Sequence, residues 1–250
     1  MPLLSPLWLL VTLLALLGLA MLGYAVGALD LLGSVASFFL GLLIALLGGL
    51  SWLFLMVAFT GLGVAATRLG YARKKARRLA EGEAGERGVA NVMGNGAAAG
   101  IAVLANQIPQ VPHLAVQLAF ATAVAAVTAD TLASEVGSLA NRVRSILPPF
   151  RPMAVGSNGG VSLAGHLSAL AGAAAIAALA VPLVEVPWRW AWAPLVGGFL
   201  GCQLDSVLGA TLERDTGRPG PLTKQDVNFL AGAVPAFLIL VVGMAATLLR

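Results

Sequence analysis

Apolar residues run through this chain in long stretches, with short polar breaks between them. Taken in order, the stretches are Leu7–Ala28, Leu31–Leu50, Ser51–Leu69, Val92–Gln107, His113–Ala140, a run from beyond Ser162 to about Val181, Trp190–Leu212 and Asp226–Leu249. Most are long enough to cross the hydrocarbon core of a bilayer as helices at a rise of about 1.5 Å per residue, and Val92–Gln107 is the shortest. The pattern predicts an all-α fold: a polytopic transmembrane helix bundle of about eight spans, forming one integral membrane domain over residues 1–250. Asp30 marks a tight turn, Gly48-Gly49 loosens the end of the second span, and Pro109 and Pro112 turn the chain before the fifth. No positive residue precedes the first span. It therefore lacks the charged start of a signal peptide and is expected to stay as a helix.

Composition agrees, with a mean hydropathy of +0.91 and only 10% charged residues. Charge adds a direction. Arg68, Arg73, Lys74, Lys75, Arg77 and Arg78 come close together, followed by Glu81, Glu83, Glu86 and Arg87, and make residues 70–91 a basic loop. Alternating spans place thirteen of the fifteen Lys and Arg residues on one side, leaving Arg189 and Arg250 opposite. The positive-inside rule makes that side cytoplasmic, with both termini outside, in the cell (inner) membrane. All five tryptophans then fall at the outer interface. A single cysteine, Cys202, excludes an intrachain disulfide, and nothing points to nucleic acid. Oligomeric state is not legible.

Chemistry collects on the same side. In Ala129–Ala140, the residues Asp130, Thr131, Ser134, Glu135, Gly137 and Ser138 share an arc of roughly 160° on a helix. A carboxylate facing lipid at mid-bilayer costs about 2.5–3.5 kcal/mol, so such acids are expected to face an ion, water or a partner. Gly197, Gly201, Asp205 and Gly209 repeat every four residues, a ridge of small side chains from which one acid emerges. Gly156-Ser157-Asn158-Gly159-Gly160-Val161-Ser162 reads as a glycine-rich turn entering a helix, where backbone N–H groups suit an anion. Asp226 and Asn228 open the last span, as an N-cap with first-turn acid or as metal ligands. Asn95-Gly96 before Asp130-Thr131, and Asn158-Gly159 before Asp205-Ser206, suggest a parallel internal repeat of the fourth and fifth spans in the sixth and seventh. His113 and His166 are singletons and read as structural.

Buried acids, phosphate-binding turns and basic side chains together suggest phosphoryl or nucleotidyl transfer. There Mg²⁺ bridges carboxylates and phosphate oxygens, and catalysis is mainly positioning and charge neutralisation. The expected catalytic residues are Asp130, Glu135 and Asp205. Expected to bind nucleotide or phosphate are Asn95, Asn158, Gly159, Gly160, Ser162, Thr131, Ser134, Ser206, Lys75 and Arg87. Metal would fall to Asp130, Asp205, Glu135, Asp226 and Asn228.

The motifs A-D-T-L-A-S-E-V-G-S at Ala129–Ser138, G-S-N-G-G-V-S at Gly156–Ser162, L-D-S-V-L-G-A-T at Leu204–Thr211 and V-N-F-L at Val227–Leu230 resemble the polytopic membrane family that contains the plant phytyl-phosphate kinases. Arg87, Val92 and Asn95-Gly96 are similar to that family's basic loop and Asn-Gly element. The resemblance implies transfer of phosphate from a nucleoside triphosphate, CTP foremost, to an isoprenyl monophosphate such as phytyl phosphate. Leu132, Ser157, His166 and Glu213 depart from the family's usual tryptophan, threonine, small hydroxyl residue and glutamine, and none of these changes removes an acid. A lipid cytidylyltransferase, or a transporter of a small anionic or lipid-linked substrate, are the alternatives. The kinase reading requires the Asp130 and Asp205 carboxylates within roughly 8 Å, as about 3.5–4 Å between paired ions demands. It further expects the Asn158 turn on the same pocket, with an apolar groove leading from it for a prenyl tail.

Overall fold

The structure is a computed structural model that describes residues 5–80, 86–214 and 220–248; Glu81, Glu83 and Arg250 lie outside them. The helices are α1 (Pro6–Ala25), α2 (Leu31–Leu47), α3 (Leu50–Arg68), the short α4 (Tyr71–Ala76), α5 (Val89–Leu104), α6 (His113–Gly137), α7 (Leu163–Leu183), α8 (Trp192–Thr211) and α9 (Lys224–Leu248). Each of the eight apolar stretches has become one long helix. Six of them are long and apolar enough to cross a membrane; α2 is a shorter apolar helix of 17 residues. The eighth, α8, carries Gln203, Asp205 and Ser206 among its glycines, which lowers its apolarity.

Local chemistry starts these helices where the polar breaks fall. The Asp30 carboxylate accepts from Gly33 N at 2.6 Å and so caps α2, while Ser162 Oγ accepts from Gly165 N at 3.0 Å and caps α7. The basic loop contributes α4. A small antiparallel sheet, β1 (Val143–Ser145) between β2 (Pro152–Met153) and β3 (Gly160–Val161), orders the connection from α6 to α7. No strand was expected there. The pairing Ser145↔Gly160 brings the glycine-rich turn back towards the end of α6.

The long helices alternate in direction. At one end Arg87 N donates to Ala28 O (3.0 Å), Arg68 reaches Val26 O (2.7 Å) and Arg73 reaches Asn141 (2.8 Å). At the other, Asn106 donates to Leu47 O (3.2 Å) and Gln117 to Val184 O (2.8 Å). The first set ties the basic loop to the α1–α2 turn and the end of α6. That end is the basic end of the bundle.

Helix α6 is the axis of the bundle, with every residue from Ala115 to Ala129 buried. It packs against α3, α5, α7, α8 and α9. Alanine and threonine dominate it because five neighbours must approach closely, and α8 answers with glycine. A Cβ added at Gly197 would lie 2.6 Å from Thr122 Cγ2, and one at Gly201 would lie 2.6 Å from Ala126 Cβ. Helices α6 and α8 run the same way, so one more turn along each preserves the offset. That step brings Asp130 opposite Asp205.

The two Asn-Gly pairs do not share a local structure. Asn95-Gly96 lies inside α5, which begins already at Val89, whereas Asn158-Gly159 lies in the turn ahead of α7. The two Asn-Gly elements therefore lend the expected internal repeat no support.

Candidate active site

A cavity of about 210 Å³ opens towards the basic end between α6, α7, α8, α9 and the turn at residues 156–162. Asp130 and Asp205 line it, half-buried, with their carboxyl groups within hydrogen-bonding reach of each other. Asn228, on α9, steadies the pair. With its amide nitrogen towards acceptors, it donates to Asp205 Oδ2 at 3.2 Å and to Lys224 O at 3.1 Å. One turn earlier on α9, Lys224 lies close enough to both aspartates to act on them electrostatically, as does Glu213. The N-terminal turns of α7 and α9 border the cavity, and the positive ends of their helix dipoles suit an anion between them.

The glycine-rich turn forms the wall facing the acids. Asn158, Gly159, Gly160 and Ser162 line the cavity together with Ser134, Ser138 and Ser206. Gly159 adopts φ +74°, and a Cβ there would sit 3.1 Å from Ser206 O and 2.9 Å from Ala210 Cα. Only glycine lets the turn lie flat on α8. Part of the expected anion nest is used internally, because Gly160 N donates to Ser157 O (2.9 Å) and Ser162 Oγ is occupied as the α7 cap. His166 lies on the same wall, bonded to Ser162 O (3.0 Å) and Gln203 Oε1 (2.9 Å).

Other expected site residues lie elsewhere. Glu135 points away from Asp130, since five residues along a helix turn a side chain well past its starting face. Its carboxylate takes Lys74 Nζ at 2.5 Å and Thr67 Oγ1 at 2.7 Å, with Arg87 at 3.8 Å. Lys75 is exposed; the buried lysine is its neighbour Lys74, 1% accessible. Thr131 is buried towards Gly63 of α3, away from the cavity. Asp226 is exposed and bonds Thr223 N (2.8 Å) and Thr223 Oγ1 (2.7 Å), an N-terminal cap of α9. Asn95 is buried behind the pair, its Oδ1 3.5 Å from the Asn228 side-chain amide, a contact and not a hydrogen bond with the Asn228 nitrogen turned to Asp205.

The integral membrane protein family DUF92 matches residues 14–244. The chain belongs to the DUF92 family. This is the polytopic membrane family that the sequence motifs resemble. An uncharacterized membrane protein of Synechocystis is 31% identical over 159 residues, 63% of this chain and 62% of that protein. An uncharacterized membrane protein of Methanocaldococcus jannaschii is 29% identical over 206 residues, 82% of each chain. Protein VTE6, chloroplastic, of Arabidopsis thaliana is 27% identical over 189 residues, 74% of this chain and 56% of that protein. The match thus spans less than two thirds of the Synechocystis and Arabidopsis relatives. No solved structure matches.

Sequence reasoning about this DUF92 member missed Lys224, Gln203, His166 and Lys74. Lys224 stands four residues before Asn228, but the last span was expected to begin only at Asp226; α9 starts at Lys224 and puts the two on one face. Lys74 had no signal, because a run of basic residues does not say which one turns inward.

Proposed function

We propose that this protein is a membrane-embedded kinase. It transfers the terminal phosphoryl group of a nucleoside triphosphate, CTP foremost, to a prenyl monophosphate, phytyl phosphate being the reference case. The observation that carries the reading is the meeting of Asp130 and Asp205 in one polar cavity flanked by two helix N-termini. The motif resemblance and the distant likeness to the Arabidopsis protein support the same choice.

The chemistry fits the residues. An oxygen of the acceptor monophosphate attacks the γ-phosphorus, the bond to the β–γ bridging oxygen breaks, and the nucleoside diphosphate departs. A monophosphate whose second pKa is about 6 already carries the attacking charge near neutral pH, so no general base is required. The site must instead hold two anions together. Lys224 and the α7 and α9 N-termini supply positive potential, while the turn at Asn158 and Gly159 positions phosphate oxygens. Two facing carboxylates repel unless a proton or cation lies between them. Among the described residues no group of three or more Asp, Glu, His or Cys is placed to hold one ion, although Glu213, His166 and Cys202 also line the cavity. That donor set suits Mg²⁺, which commonly takes one or two carboxylates and completes its shell with phosphate and water. Asp130 and Asp205 would hold it, with Asn228 orienting Asp205. When bound, the ion neutralises charge on the phosphate oxygens. Glu135 and Asp226 stand outside this set. We further propose that the basic end faces the cytoplasm, where soluble nucleotide is available, with both termini outside.

The test is purified protein incubated with γ- and α-labelled nucleoside triphosphates and a panel of prenyl monophosphates. A prenyl diphosphate carrying the γ label, with nucleoside diphosphate released, is the expected result. Incorporation of the α label with release of pyrophosphate would make it a cytidylyltransferase instead.

A further inference from the structure

A second cavity, of about 340 Å³, lies among α1, α2, α3 and α5. Leucine, valine, methionine and phenylalanine line most of it, from Leu16 and Leu53 at its deep end to Arg87, Asn91 and Asn95 at the basic end. The eleven steps from Leu53 to Val64 of α3 give it a length of about 16 Å. We infer that this cavity seats the single tail of the acceptor lipid, with its anionic head at Arg87, Asn91 and Asn95. This deepens the kinase reading and rests on it.

The polar end is built and aimed. The backbone of Arg87 is held to the α1–α2 turn through Ala28 O (3.0 Å) and Asp30 N (3.2 Å). Its guanidinium passes over Gly63, where a Cβ would lie 2.9 Å from Nη1, so glycine keeps that route open. Arg87 is 12% exposed, donates to Thr67 Oγ1 (3.3 Å) and lies 3.8 Å from the Glu135 carboxylate, at the polar rim of the apolar cavity. Asn95 lines the apolar cavity on one side and meets Asn228, the partner of Asp205, on the other. A layer one or two side chains thick separates a tail-shaped cavity from a phosphate-sized one. An amphiphile seated in the first presents its head to the second. The groove expected beside the Asn158 turn is replaced by this cavity behind Asn95.

The occupant is a single-tailed lipid monophosphate. One slot takes one tail, whereas a diacyl lipid brings two, and a guanidinium complements a phosphate; Asn95 Nδ2 donates to Asn91 O (2.9 Å) and Asn91 Oδ1 (2.6 Å), which fixes the shape of that end. Prenyl alcohol would fill the slot without using Arg87.

A twenty-carbon prenyl monophosphate bearing a diazirine at its tail end tests the assignment by photo-crosslinking to the purified protein and mapping the labelled peptides. Labels on α1, α2 and α3 are expected. Gly61→Phe, whose Cβ meets no atom within 4 Å and which lines the cavity, should cut that labelling. It should also raise KM for the twenty-carbon acceptor relative to a five-carbon one by roughly tenfold, the scale of losing a few buried methylenes. Labels on α7 and α8 or spread over the lipid-facing surface, unchanged labelling in Gly61→Phe, or equal displacement by phosphatidic acid would each overturn the tail site. Crosslinking needs no turnover, so the two readings fail separately. Cavity labels without product would remove the kinase and keep the lipid site; product with labels elsewhere would do the reverse.

Discussion

At the scale of single residues, two acids that look alike in the sequence have opposite surroundings. Asp130 faces a second carboxylate across a polar cavity, while Glu135 is closed over by Lys74, Thr67 and Arg87. Asp130→Asn and Asp205→Asn should each lower kcat/KM at least about a hundredfold without unfolding the protein, since several kcal/mol of charge stabilisation rests on such ligands. Steady-state kinetics beside a detergent melting curve checks both halves of this. Asn228→Ala, which removes an orienting partner and no charge, should cost roughly 10–100-fold. The Lys74–Glu135 pair predicts a different signature. Lys74→Met strands a buried carboxylate and should destabilise by about 3–5 kcal/mol, whereas the double variant Lys74→Met, Glu135→Leu should recover most of that loss. Turnover in that double variant, measured at matched folded concentration, should follow its stability. A double variant as unstable as the single one would refute the pairing as the reason for burial.

Among elements, the meeting of α6 and α8 decides the site. Gly197 lies against Thr122 and Gly201 against Ala126, and the same parallel offset then sets Asp205 against Asp130. Gly201 is pressed from a second side, with a Cβ there 2.6 Å from Ala231 O of α9. Gly201→Val should therefore push three helices apart and cost about 1–3 kcal/mol as overpacking. It should also remove activity, by separating the two aspartates that it does not itself touch. Gly18→Ala is the control, because a Cβ at Gly18 meets nothing within 4 Å. Comparing their melting temperatures in one detergent isolates packing from helix propensity. Helix α4 belongs to this scale too. Arg77 donates to Ser138 O (2.8 Å) and Ala140 O (3.0 Å), closing the C-terminal end of α6. The basic loop is thus part of the bundle's packing as well as a charge signal.

For the molecule as a whole, alternating helices bring the polar cavity, the basic residues and the α1–α2 turn to one end. The tryptophan-bearing starts of α1 and α3 and the approach to α8 lie at the other. With twelve of the thirteen Lys and Arg residues among the described ones at the basic end, its cytoplasmic placement can be tested on a Cys202→Ser background. A cysteine at Arg151 should resist a membrane-impermeant maleimide in sealed cells, and one at Glu185 should react. The opposite pattern would put the site out of reach of cytoplasmic nucleotide and end the kinase reading.

Hydropathy, charge and turn residues determined eight helices, their alternation and the end at which the polar groups gather. Each of these follows from local or near-local physics: apolar length, capping by Asp30 and Ser162, and the placement of arginine. The nearness of Asp130 and Asp205 was also legible, because a four-residue glycine ridge and comparable depth on two helices running the same way leave little freedom. The tertiary structure alone decided which of two acids five residues apart faces the cavity, and which of two adjacent lysines is buried. It alone decided that Asp226 bonds Thr223 and that the apolar cavity lies behind Asn95. Rotation about a helix axis settles each of these, and in an Ala- and Gly-rich chain that rotation is poorly encoded by the sequence pattern. With few bulky side chains to mark a face, the packing of α6 inside its ring of neighbours sets the angle.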